Sequence, residues 1–180
     1  MKTQDQQAVS ESRSNAGQVS SKALVQYASV VQRAAEKHVA IAIVKQAKRN
    51  WCWASVCEAF TGKTQVTLAN TYTSGYAPNG PGKYEDPYTV LSAEGKTVAV
   101  TATDTPAWAT IVGHIDSNET PVCKVGSHYV IICGYKGNGG LASGRRYFYK
   151  DPADGNNEQE ATEAEMKNMN GGFEGYYIVT

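Results

Sequence analysis

Four residues of this chain have the types and order to do chemistry together: Gln46, Cys52, His128 and Asp151. Covalent chemistry through sulfur needs an ionised thiol and a base to carry protons. It also needs a group that orients the base and a donor for the oxyanion. Each requirement has one candidate here. Cys52 follows the polar turn Lys48-Arg49-Asn50 and opens a predicted helix, where the helix dipole favours thiolate over thiol. Taken alone, a buried cysteine between Trp51 and Trp53 is an equally good reading, and its company shifts the balance. Gln46, six residues upstream, is placed to fold back and donate to an oxyanion beside the Cys52 N–H.

Three histidines compete for the base. His38 ends a predicted N-terminal helix and reads as a solvated cation at its C-terminus. His114 lies within a predicted helix and reads as a surface or half-buried residue. His128 opens the nearly continuous apolar run Ser127-His128-Tyr129-Val130-Ile131-Ile132-Cys133. A titratable ring at the start of a buried strand has to be satisfied by partners, and a thiol beside it is one solution. A carbonyl-bonded core histidine is the other. Asp151 ends the run Arg146-Tyr147-Phe148-Tyr149-Lys150 and precedes Pro152. If the two runs pair as a hairpin, the start of one meets the end of the other, and Asp151 then orients the imidazole. A turn aspartate before proline is the plainer reading, with Asp154 as the nearby substitute.

The elements that must position these residues follow from patterning. The 180 residues suit one domain with a 41% hydrophobic fraction, and 17 basic residues balance 17 acidic ones. No charge field argues for nucleic acid, and no apolar run approaches the ~18 residues of a membrane helix. The opening residues carry one lysine and then a polar run without an apolar core, so a Sec-type signal is not expected. Residues 1–20 are too polar to bury a core, and 21–38 read as an amphipathic helix through Leu24, Tyr27, Val30 (or Val31) and Ala34. That helix reads as a brace on the main domain or as the remnant of an upstream domain or pro-segment. The division is therefore 1–38 and 39–180.

Within the second part, 39–44 reads as a strand or extended entry. Helices are predicted over 51–60 (closed near Gly62), 66–72, 88–93, 106–116 and 162–168. Thr162 and Glu165 suggest a capping box. Residues 73–87 form a loop rich in glycine and proline, of the kind that walls a cleft. Strands are predicted over 98–103, 120–125, 127–135, 145–151 and 176–180. Helices come first and strands second, an α+β arrangement around an antiparallel sheet. Cys57, Cys123 and Cys133 sit among apolar neighbours and read as buried, reduced thiols. Gly139-Gly140 and Gly171-Gly172 read as turns.

These motifs carry a resemblance. Gln46-x5-Cys52 with Trp51, Trp53 and Ala54, then Gly126-Ser127-His128-Tyr129-Val130-Ile131 with Gly134-Tyr135, then Tyr149-Lys150-Asp151-Pro152, resemble the papain-like cysteine proteases of bacteria. The nearest branch holds plant-pathogen effector proteases and the bacteriocin-processing peptidase domains of exporters. The resemblance spans about residues 40–180. It implies a helical lobe with Cys52 at a helix N-terminus, packed against an antiparallel sheet lobe carrying His128 and Asp151. It further implies Gln46 in the oxyanion hole, Trp51 and Trp53 as substrate-binding neighbours, and no metal or organic cofactor. Asp151 stands where plant papain has asparagine, and the shorter chain implies reduced substrate walls. No exporter membrane domain follows, which argues against bacteriocin maturation.

The resemblance thus implies a secreted effector or toxin that cleaves target proteins after small residues such as Gly-Gly. It would be delivered by a non-Sec route into the cytoplasm of a target cell and matched in its producer by an inhibitory immunity protein. Two other readings compete. One is a Cys-His-Asp transferase or deamidase acting on glutamine, against which the Gln46 spacing argues. The other is a binding module with an inert cysteine.

Overall fold

A computed structural model describes residues 34–73, 81–101, 106–138 and 144–180 of the protein. Its strands are β1 (Ala34–His38), β2 (Val98–Thr101), β3 (Val122–Val125), β4 (His128–Asn138), β5 (Arg146–Lys150), β6 (Glu158–Thr162) and β7 (Phe173–Val179). Its helices are α1 (Cys52–Thr61), α2 (Gln65–Tyr72), α3 (Pro87–Ala93), α4 (Trp108–Asp116) and α5 (Glu163–Asn168). The strands form one antiparallel sheet in the order β2-β7-β3-β4-β5-β6, with β1 also on β4. The architecture is α+β. No described helix is long and apolar enough to cross a membrane.

Strand β4 is the spine of the sheet. One of its edges is shared end to end, β3 pairing residues 128–131 and β1 pairing 134–138, while β5 takes the other edge. Its two faces are both covered. Tyr129 and Ile131 join the core of Trp51, Trp53, Val56, Leu68 and Leu91 under α1–α3. Val130 and Ile132 join Ile111, Ile115, Tyr147 and Met166 under α4 and α5. Burial on both faces explains why this stretch is apolar without alternation.

Helices α1 and α2 form where the sequence places them. Gly62 closes α1 in the left-handed region (φ 71°), and the N-cap Thr64 side chain of α2 accepts from the Thr67 N–H. The Thr162–Glu165 capping box opens α5.

The expected helix over 21–38 is not formed at its C-terminal end. Residues 34–38 are β1, and the rest of that prediction, like the polar segment 1–20, lies outside the described residues. Beyond β3 the edge of β4 presents unpaired N–H and C=O groups. Pairing them outweighs the modest helix propensity of an Ala-Ala-Glu-Lys stretch. His38 is therefore no helix cap: its ring stacks on Phe148 (4.3 Å) and bonds Glu36 and Glu158, each at 3.1 Å. The Glu36 hydrogen bond leads in raising its pKa. Residues 39–44 form no strand. β6, Glu-Gln-Glu-Ala-Thr, was not anticipated, because it has little intrinsic β preference and exists through full pairing with β5.

The β1–β4–β5 junction is tight at one point. A Cβ on Gly134 would lie 2.5 Å from the Lys37 carbonyl oxygen and 3.1 Å from the Phe148 ring. Backbone cannot yield as a side chain tip can, so Gly134→Ala is expected to cost about 1–3 kcal/mol in urea unfolding. Gly62→Ala meets open space and should cost only left-handed strain, about 1–2 kcal/mol, without disturbing the sheet.

Candidate functional site

The path from β1 to α1 decides where the cysteine sits. Residues 43–50 cross between sheet and helices and are pinned on both sides. The Gln46 N–H donates to the Pro152 carbonyl (2.8 Å), and the Ile43 N–H donates to Asn156 Oδ1 (3.3 Å). From the helical side, buried Gln65 accepts from the Ala47 N–H (2.8 Å) and donates to the Lys45 carbonyl (3.0 Å). The Ser55 hydroxyl donates to the Val44 carbonyl. Asn50 is held from the next loop, its N–H donating to the Pro81 carbonyl (2.8 Å) and its side chain to the Gly82 carbonyl (3.0 Å). The chain then turns into α1 with Cys52 as first residue, where the helix supplies no acceptor for the early N–H groups.

The opposite wall comes from the sheet. Gly126 (φ 59°) and Ser127 make the turn between β3 and β4, and glycine at the first central position suits the type II′ geometry. His128 follows at once. β5 runs antiparallel to β4, so its end meets the β4 start, and Asp151 Oδ1 lies 2.6 Å from His128 Nε2. The same oxygen accepts from the Ala153 N–H (2.7 Å), which fixes the carboxylate in its turn. With Nε2 engaged by Asp151, Nδ1 is the nitrogen left to meet the Cys52 thiol, which is a hydrogen-bond partner of His128.

Electrostatics follow from this geometry. Burial pulls the His128 pKa down, but the bonds to Asp151 and Cys52 outweigh it and push it up to about 9. Burial raises Asp151, and the bonds from His128 and the Ala153 N–H more than reverse this, leaving its carboxyl below the usual range. The folded pKa of His128 is raised, so its stabilising contribution is complete below the unfolded value and is lost as pH rises through about 9. That of Asp151 is depressed, so its contribution is present above the ordinary carboxylate value and is lost as pH falls through the lowered one. Between those limits the site holds an imidazolium–carboxylate pair.

Cys52, His128 and Asp151 line one open cleft of about 620 Å³, together with Gln46. The structure thus brings these four predicted residues together. The part Gln46 plays in this arrangement is specific. Its amide donates to the Lys48 carbonyl (3.0 Å) and to the Arg49 carbonyl (2.7 Å). The reverse amide orientation would set oxygen against two carbonyl oxygens, so the assignment follows from chemistry. Both amide hydrogens brace the turn before Cys52, and one must be released before Gln46 can serve an oxyanion. Its Oε1 is buried without a partner among the described residues.

Trp51 and Trp53 do not meet the expectation of contact with a substrate. They are 1% and 0% exposed and belong to the core beneath α1, not to the cleft lining. The Trp53 indole donates to the Lys83 carbonyl (3.0 Å), and the Trp51 indole packs so close to Gly82 (φ 81°) that a Cβ there would lie 2.2 Å away. Their size anchors the start of α1 against the 81–84 loop.

Other residues take the lining role: Arg49, Asn50, Tyr84, Ser127, Ala153 and Asn170. Tyr84 sits in the glycine- and proline-rich loop already read as a cleft wall. Its hydroxyl donates to Tyr129 Oη (2.6 Å), in a hydroxyl cluster where Tyr177 donates to Asp86 (3.2 Å), the side-chain cap of α3. Asn170 takes positive φ (50°) in Asn170-Gly171-Gly172, a turn signal that marked the bend but not its place at the cleft.

His114 is half-buried and bonds Glu119 at 2.7 Å, away from the cleft. No group of three or more His, Cys, Asp or Glu among the described residues is arranged to hold a metal ion. No protein-family model matches the chain, and no curated protein matches it.

Burial separates the four thiols. It pushes Cys57 and Cys123 well up and Cys133 to about 12, while Cys52 alone lines the cleft beside an imidazolium. Iodoacetamide at neutral pH is expected to label Cys52 well ahead of the other three, read by peptide mass mapping. The His128 ring, followed by NMR, is expected to titrate near pH 9. In Asp151→Asn its midpoint should fall by about one unit or more.

Proposed function

We propose that this protein is a papain-like cysteine endopeptidase of the bacterial effector or toxin type. The single observation that carries the reading is the convergence of Cys52, His128 and Asp151, with Gln46 beside them, on one solvent-open cleft. The cleft is open to solvent. Its thiol stands at a helix start and its base is oriented through the far ring nitrogen, which suits acyl transfer.

In this mechanism the Cys52 proton resides on His128. The thiolate attacks a peptide carbonyl, and the oxyanion is met by the Cys52 N–H at the open start of α1, joined by Gln46 once one of its bonds to the Lys48 or Arg49 carbonyl is released. His128 gives its proton to the amine as the C–N bond breaks, leaving a thioester on Cys52. His128 then takes a proton from water, whose oxygen attacks the thioester. Collapse releases the acid and returns the proton to the Cys52–His128 pair. Asp151 holds the ring and balances the imidazolium throughout. Target proteins are the substrates, and an immunity protein that blocks the cleft is the partner such a toxin needs.

The test is a proteome-wide map of new N-termini after incubating bacterial lysate with wild-type protein, Cys52→Ala and His128→Ala. The expected result is a small set of cuts in the wild-type sample, reduced at least about 10³-fold in both variants. Cuts that persist in both variants would remove the proposal. Ammonia release from target glutamine without cleavage would replace it with a deamidase that uses the same residues.

A further inference from the structure

We infer that Arg49 makes the cleft selective for an acidic peptide, its guanidinium binding a carboxylate side chain close to the scissile bond. The inference rests on the endopeptidase reading for the word peptide, and on the cleft alone for the carboxylate.

Charge comes first. Of the charged residues lining the cleft, His128 and Asp151 are bonded to each other and cancel. Gln46, Asn50, Tyr84, Ser127 and Asn170 supply uncharged polar groups. Arg49 is the remaining full charge on the lining. It is exposed and forms no ion pair among the described residues, although ten such pairs occur elsewhere, including partners for Arg145 and Arg146. An arginine with no internal carboxylate presents five N–H donors in a planar fork, which matches a carboxylate in two parallel bonds.

Placement comes second. An exposed arginine on a loose loop would select little, because ordering the backbone would offset the contact. Here the backbone is already held. The Arg49 carbonyl accepts from the Gln46 amide (2.7 Å), and the next residue, Asn50, is bonded through both its N–H and its side chain to the 81–82 segment. Arg49 stands three residues before the nucleophile on this braced turn. Only its side chain has to settle when a carboxylate arrives, which is the condition under which a surface charge contributes to selectivity.

The site thus takes an extended segment bearing Asp or Glu within about three residues of the cut, roughly 10 Å of chain. Because the guanidinium is solvent-exposed, the preference should weaken as salt is raised.

Two readouts test this with full-length protein, Arg49→Ala, Arg49→Lys and Arg49→Glu. Arg49 is exposed, so all three are expected to fold. The first readout is the sequence around Cys52-dependent cuts in a library of proteome-derived peptides. Enrichment of Asp and Glu in wild type is expected, kept in Arg49→Lys, lost in Arg49→Ala and turned toward Lys and Arg in Arg49→Glu. Cuts without acidic enrichment, or enrichment that survives in Arg49→Glu, would overturn the inference. The second readout needs no cleavage: the ratio of Cys52 alkylation rates with anionic iodoacetate and neutral iodoacetamide. It should fall about threefold in Arg49→Ala and further in Arg49→Glu. If no peptide is cut, this ratio decides. A fall keeps the carboxylate subsite and removes the protease, whereas an unchanged ratio removes both.

Discussion

An imidazole at the head of a strand buried on both faces must be given partners, and the bond from His128 to Asp151 meets that demand. The strand cannot be turned to expose the ring, because Tyr129 and Ile131 are committed to one core and Val130 and Ile132 to the other. The carboxylate has to come to the histidine. It does so because β5 runs back along β4 and ends where β4 begins. The charge pair that results sets the proton affinity of the ring, which hydrogen-bonds the thiol of Cys52.

The thiol arrives from the other side of the cleft by a different kind of constraint. α1 is seated on the sheet by two tryptophans and the aliphatic residues of its buried face. Its first residue would still be poorly placed if the preceding turn were free. Gln46 closes that turn with its side chain and reaches the Asp151–Pro152 turn with its own N–H. One residue thus couples the strand end that carries the carboxylate to the helix start that carries the sulfur. The second coupling runs through the 81–84 loop, which bonds Asn50 and Trp53 and sets Tyr84 on the cleft wall. Both links are made largely by side chains that grip backbone. This suits a site whose parts lie more than seventy residues apart in sequence.

Neighbouring groups in this site have opposite electrostatic duties. Burial alone would neutralise both His128 and Asp151, and their mutual bond restores the charged form of each. The three remaining cysteines show what burial does without such a partner: their thiols are held protonated. The same low-dielectric interior therefore yields one cysteine beside a cation and three inert ones. All four are free, and the difference is that Cys52 lines the cleft while the other three lie in the interior.

Much of this was legible in the residues. Short-range signals set α1 and α2, the Thr162 capping box and the apolar β4, because each depends on neighbours within a few positions. Hairpin geometry was enough to bring His128 and Asp151 to one end of the sheet. The errors have a common cause. Residues 34–38 have helical composition and β6 has little β preference, yet both are strands because an open sheet edge offers hydrogen bonds that composition does not encode. Trp51 and Trp53 adjoin Cys52 in sequence and turn away from the cleft in space, since on a helix adjacent residues point about 100° apart. Arg49 and Asn170 carried no local signal for lining a cleft, and Tyr84 carried one only through the composition of its loop. By itself, then, the sequence determined the chemical types available and the local elements that carry them. Only the tertiary structure decided which side chains face the cleft and which face the core, because that choice depends on long-range packing against β4.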